Sequence, residues 1–221
     1  MALTKFNYNS FDLTTAASKG LAFNSSANGF ETSSGTSMTL IKTLTASSSA
    51  TLSFVDGSSS VVLDNTYPVY LFKFINLHPA SSNSNMSFNG STDSGSNYNV
   101  TKTTTTIQCY HTENDSAASV FYNTNFDIAQ GTGFQALNYG DGDTSNDASF
   151  SGSLFLFNPS STTFVKHFLA DTHQMASDPS AERNLTAGYF NTTSAIDAIQ
   201  FKSDSGNIDS GTIKLYGIKD S

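Results

Sequence analysis

The chain has 221 residues, 37% of them hydrophobic and only 13% charged, with a formal net charge of −8 at pH 7. That length suits one large domain or two small ones. The acidic balance excludes a nucleic-acid partner, because phosphate binding needs clustered Lys and Arg, and the single arginine is Arg183; a polybasic membrane patch is equally unsupported.

Polarity is carried by Ser, Thr, Asn and Gly, which favour turns and strands over helices. The 18 Phe and 9 Tyr set the chain apart from disordered sequences, which lack aromatics. Those rings can fill a core.

In chain order, "MALTKFNYNSFDLTT" has no apolar core of the kind a secretory signal needs. No apolar run approaches the ~20 residues of a membrane helix. The expectation is a chain made in a cytoplasm, with no membrane insertion. Residues 1–36 read as an N-terminal arm or edge strands, with a short strand in "LAFNSSANGF" that ends at the Asn28–Gly29 turn signal. Residues 37–221 read as a single β-sandwich domain.

Strand signals then follow one another. "SMTLIKTLT" is the first. "ATLSFV" alternates Leu52 and Phe54 on one face, and "DGSS" turns into a further strand, "SVVL". In "YPVYLFKFINLHP", Val69, Leu71 and Ile75 point one way and Tyr70, Phe72 and Phe74 the other, so burial on both faces is expected. "NGSTDSGSN" reads as a loop, and "NVTKTTTTIQCYH" as a long β-branched strand. "SFSGSLFLFNP" carries Phe150, Leu154 and Leu156 on one face, with Gly152 marking a bulge or a close backbone approach. After the turn "NPSS" come "TTFVKHFLAD" and "AGYFNTT". Only "SAERNLTA" and "SAIDAI" have a helical look. Strands at this spacing predict an all-β, antiparallel, jelly-roll-like sandwich.

The chain closes with two clean alternations. Ile199 and Phe201 share one face, and Ile213 and Leu215 share another, joined by "SDSGNIDSG". They read as an antiparallel hairpin with one apolar side, laid on a second sheet. The last strand is expected beside the first ones, covering an open edge.

Few residues suggest chemistry. Cys109 is the one cysteine, so no intramolecular disulfide forms. His111, two residues on, shares its face in a strand, but a buried inert thiol is favoured over a nucleophile. In "GDGDTSNDAS", Asp141, Asp143, Ser145 and Asp147 fall at the alternating positions of a calcium loop's first four ligands. The sixth position is Asn146 instead of Gly, and the twelfth is Gly152 instead of Glu. Calcium is therefore the one cofactor considered, set against a solvated acidic turn. His78, His111, His167 and His173 lack zinc spacing. Phosphate-loop and nucleophile-elbow motifs are absent. Glu31, Glu113 and Glu182 read as loop or strand-end residues, with none resembling a buried acid. No catalytic residue is assigned, and the chain reads as a non-enzyme. Tyr rings and a Ser/Asn/Thr surface can bind sugars, though there is no Trp.

The blocks "LFKFINLHPA", "NYNVTKTTTT", "AQGTGFQ", "SGSLFLFNPSSTTFVKHF", "AGYFNTTSAIDAIQF" and "SGNIDSGTIKLYGI" resemble small virion structural proteins of marine tailed bacteriophages, including cyanophages. The resemblance covers roughly residues 67–221. It implies a non-enzymatic particle component, in capsid decoration or in a tail or fibre, whose partners are copies of itself and other virion proteins. Its place would be the virion, after synthesis in the host cytoplasm. The alternative is a receptor- or carbohydrate-binding module that meets a host surface glycan.

Overall fold

A computed structural model describes residues 20–23, 26, 30–33, 37–140 and 142–219, and no helix occurs among them. The chain divides between Thr39 and Leu40 into two units. In the first, β1 (Gly20–Phe23) pairs antiparallel with β2 (Phe30–Ser33), and the rings of Phe23 and Phe30 stack at 4.9 Å. The Asn28–Gly29 turn signal lies outside the described residues.

The remaining strands are β3 (Met38–Thr45), β4 (Leu52–Val55), β5 (Val69–Pro79), β6 (Met86–Ser91), β7 (Lys102–Thr112), β8 (Ala118–Tyr122) and β9 (Gln135–Ala136), followed by β10 (Phe150–Phe157), β11 (Lys166–Met175), β12 (Ser180–Phe190), β13 (Ala198–Ser203) and β14 (Ile208–Ile218). They form a β-sandwich of two antiparallel sheets. One has eight strands in the order β3-β14-β5-β10-β11-β12-β7-β8, and the other four in the order β4-β13-β6-β9.

The core follows from alternation. Tyr70, Phe72 and Phe74 of β5, Leu154 and Leu156 of β10, and Ile213 and Leu215 of β14 all turn inward from the larger sheet and are buried. Phe54, Phe88, Ile199 and Phe201 meet them from the smaller sheet. Phe201 sits at the centre, with ring centroids 5.2 Å from both Phe72 and Phe74, 6.2 Å from Phe54 and 6.3 Å from Phe88. Most of these contacts are edge-on, the geometry in which aromatic quadrupoles attract.

The closing pair departs from the hairpin expected. β13 pairs with β4 and β6 in the small sheet, whereas β14 pairs with β5 in the large one. The connection is an arch across the sandwich. Only residues 204–207 separate the two strands, and β14 carries register shifts on either side of Ser210. The apolar faces therefore meet across the core instead of lying side by side. Ile199, Phe201, Ile213 and Leu215 are core residues as expected, and β14 lies beside β3.

Other segments also depart from the sequence reading. "SVVL" is no strand: Ser59 and Ser60 take left-handed conformations, and Leu63 N–H donates to Asp56 Oδ1 at 2.8 Å. The loop still delivers Val61 and Leu63 to the core. "SAERNLTA" is the first part of β12, its helical look overridden by full-length pairing with β7 and β11. "SAIDAI" is a loop running into β13. β6 lies partly in the presumed loop; its Ser and Asn residues hid a strand buried along its whole length. The outer face of β5 is covered at Leu71 but open at Lys73 and Ile75. Gly152 (φ 148°) sits at a register shift, where a Cβ would lie 2.5 Å from the Asp171 carbonyl oxygen, the close approach expected.

Truncating Phe201 should remove the centre of the aromatic cluster. Phe201→Ala is expected to cost about 3–5 kcal/mol, Lys214→Ala under about 0.5 kcal/mol, and deletion of 211–221 should prevent folding. Thermal melting and soluble yield check all three.

Candidate functional site

Asp141 lies outside the described residues. Asp143, Ser145 and Asp147 follow along one turn. Ser145 N–H donates to Asp143 Oδ1 at 3.2 Å, and hydrogen bonding from Ser145 holds the Asp143 carboxyl below its ordinary range. The Ser145 carbonyl faces His78 Nε2 at 3.1 Å. These oxygens tie the turn to itself and to β5. Among the described residues, no three His, Cys, Asp or Glu side chains are grouped to hold a metal.

Cys109 and His111 share the outer face of β7 as expected, but the thiol is half-buried instead of enclosed. His111 Nε2 lies 2.9 Å from Asp115 Oδ1 in the following turn. The ring is thus bound to a surface turn. Next to Cys109 across the sheet is Arg183, whose guanidinium forks onto Asp171 at 2.8 and 2.6 Å and lowers the carboxyl pKa of that aspartate.

The inner face of β11, β12 and β7 has the richer chemistry. A four-stranded sheet cannot cover eight strands. The rest of the large sheet's inner face is met by the segment between β8 and β10, and the groups there are largely polar. Thr104 Oγ1 donates to Gln135 Oε1 at 2.6 Å, and Asn138 Nδ2 to Gln174 Oε1 at 2.7 Å. Gln174 Nε2 donates to Glu182 Oε2 at 2.7 Å; Gln108 Nε2 lies 3.5 Å from Oε1. Asn123 Nδ2 donates to Gln108 Oε1 at 2.8 Å. Contrary to the sequence reading, Glu182 is a buried acid, 5% exposed. A buried polar group costs free energy unless bonded, and this chain of amides supplies the bonds.

At the opposite end of the same face, Lys102 and Lys166 flank Phe190 in register and are fully covered. Lys102 Nζ donates to the Gly133 carbonyl at 2.5 Å, and Lys166 Nζ to that of Thr192 at 3.1 Å. Burial pushes both pKa values down, that of Lys102 to about 8. Sequence reading missed this pair because lysines in strands are ordinarily solvated.

Beyond Glu182 the inner face opens into a cleft of about 410 Å³. Gln108 and Tyr110 of β7, Ser119 and Phe121 of β8, and Glu182 of β12 form its floor, and Tyr139 and Asp178 its rim. Tyr110 and Phe121 meet edge-on at 6.4 Å, and Phe126 braces Tyr139 edge-on at 5.3 Å. β8, not recognised in the sequence, supplies two of these walls.

Comparison with family models, with curated proteins and with solved structures finds no match to this chain.

Two measurements test these features. If the acidic turn binds calcium, adding the ion raises the melting temperature by mass action, and Asp143→Asn with Asp147→Asn removes the gain; melting indifferent to calcium and chelator leaves a solvated turn. For Lys102, the folded pKa of about 8 lies below the ordinary 10.5. The unfolded chain binds the extra proton between these values, so stability rises with pH across that window, by at most about 1.4 kcal/mol per unit. The rise in melting temperature from pH 7.5 to 9.5 should be smaller in Lys102→Met than in the parent.

Proposed function

We propose that this chain is a non-enzymatic structural protein of a bacteriophage particle, held at its surface as a capsid decoration or as part of a tail or fibre. It works by packing against copies of itself and against other virion proteins. Three things support this reading, and one carries it.

The sequence blocks quoted above point to virion proteins. The strand order also fits: the chain passes repeatedly between the sheets, with β3, β5, β7, β8, β10, β11, β12 and β14 in one and β4, β6, β9 and β13 in the other. That interleaving is expected of a jelly roll, an architecture common in capsid proteins and lectins.

The carrying observation is the outer face of the eight-stranded sheet. Leu185, Ile107 and Tyr122 stand in one row across β12, β7 and β8, with Leu169 diagonal to Leu185 on β11. Ile107 and Leu169 are each 46% exposed and Tyr122 56%. β8 is an edge strand, exposed along its whole length, and "ASVFY" has no charge to block pairing with another strand. A contiguous apolar face of this kind marks a protein–protein contact.

Mass spectrometry of purified particles should find the protein, and sedimentation of the recombinant chain should show self-association. Ile107→Asp with Leu169→Asp should abolish that association while shifting the melting temperature little. A parent that stays monomeric and is absent from particles would overturn the reading.

A further inference from the structure

We propose that the cleft between β7, β8, β12 and Tyr139 binds a neutral saccharide. The inference stands on the cleft alone, whether or not the chain assembles into a particle.

Size and placement come first. About 410 Å³ lies in the lower part of the usual range for small-molecule sites, roughly 300–1,000 Å³. The cleft exists because the smaller sheet ends before it reaches the inner face of β8, so the opening is a consequence of the fold. Its floor is held in place: the Gln108 amide is bonded at its oxygen by Asn123, and Glu182 accepts from Gln174. Such a wall keeps its shape without a ligand, which reduces the cost of binding.

The lining selects the ligand. Tyr110, Phe121 and Tyr139 offer ring faces that suit the C–H face of a pyranose. Ser119 and the two tyrosines supply hydroxyls that both donate and accept, as a row of sugar hydroxyls requires. Glu182 and Asp178 add acceptors, and neither Lys, Arg nor His lines the cleft. A phosphate, sulfate or acidic sugar would meet the Asp178 and Glu182 carboxylates on a lining that contains no Lys, Arg or His. An organic cation would suit the rings and carboxylates but would leave the hydroxyl donors facing positive charge.

The full chain should be screened on an array of neutral and acidic saccharides, and the best neutral hit titrated by NMR. Tetramethylammonium and inorganic phosphate serve as competing probes. Phe121→Ala, on the exposed edge strand, and Tyr139→Leu should each weaken binding about tenfold or more, with Phe121→Ala leaving the melting temperature unchanged. The proposal is overturned if no neutral saccharide binds at millimolar concentration. Binding that survives Phe121→Ala in full, a preference for acidic saccharides, or displacement by tetramethylammonium would overturn it equally.

Discussion

The contact on which this fold depends is the meeting of Phe201 with rings from both sheets. Phe72 and Phe74 reach it from β5, and Phe54 and Phe88 from its own sheet. A ring cluster of this kind forms only if β13 lies opposite β5, and β14 pairs with β5 along nearly its full length. The last two strands must therefore part company and take opposite sheets. That crossing sets the layer spacing, and the rest of the aromatic core packs around it. Phe88 carries the cluster onward to Phe168 and Phe190.

The second governing constraint is the inequality of the sheets. Eight strands face four. Where the small sheet covers the large one, the interior is apolar. Beyond the apolar core, the largely irregular segment between β8 and β10, which includes β9, covers β12 and β7, and its backbone and amide groups need partners. The inner positions there are accordingly Thr104, Thr106, Gln108, Gln174 and Glu182, all buried. Beyond the end of that cover the aromatic cleft opens. The polar seam and the cleft are two results of the same mismatch. Among the described residues of the sandwich, Ile107, Leu169 and Leu185 on the large sheet's outer face stand at the surface.

Much of this was legible in the residues. Alternation in 52–55, 199–202 and 212–215 identified strands and their buried faces, because a pleated strand turns successive side chains to opposite sides; in 69–75 both faces are apolar, and the burial expected of both fails at Lys73 and Ile75. β6 and β8 escaped notice because their residues are those of loops or of exposed surface. β6 is buried on both faces with Ser and Asn satisfied by hydrogen bonds, and β8 is exposed throughout. Glu182 was misplaced for a related reason: in "SAERNLTA" the two charged residues, Glu182 and Arg183, are adjacent and so take opposite faces of a strand, and only pairing shows which face is the inner one.

By itself, then, the sequence determined that the chain is all-β, which residues are apolar on one face, and that its surface bears little charge. Those properties follow from composition and the two-residue strand period, which are local. Which sheet each strand joined was decided only by tertiary structure. So were the burial of Lys102 and Glu182 and the union of β7, β8 and β12 with Tyr139 in one cleft. These depend on pairings between residues far apart in the chain, and a side chain's energy there is set by the neighbour that arrives, not by the residue beside it.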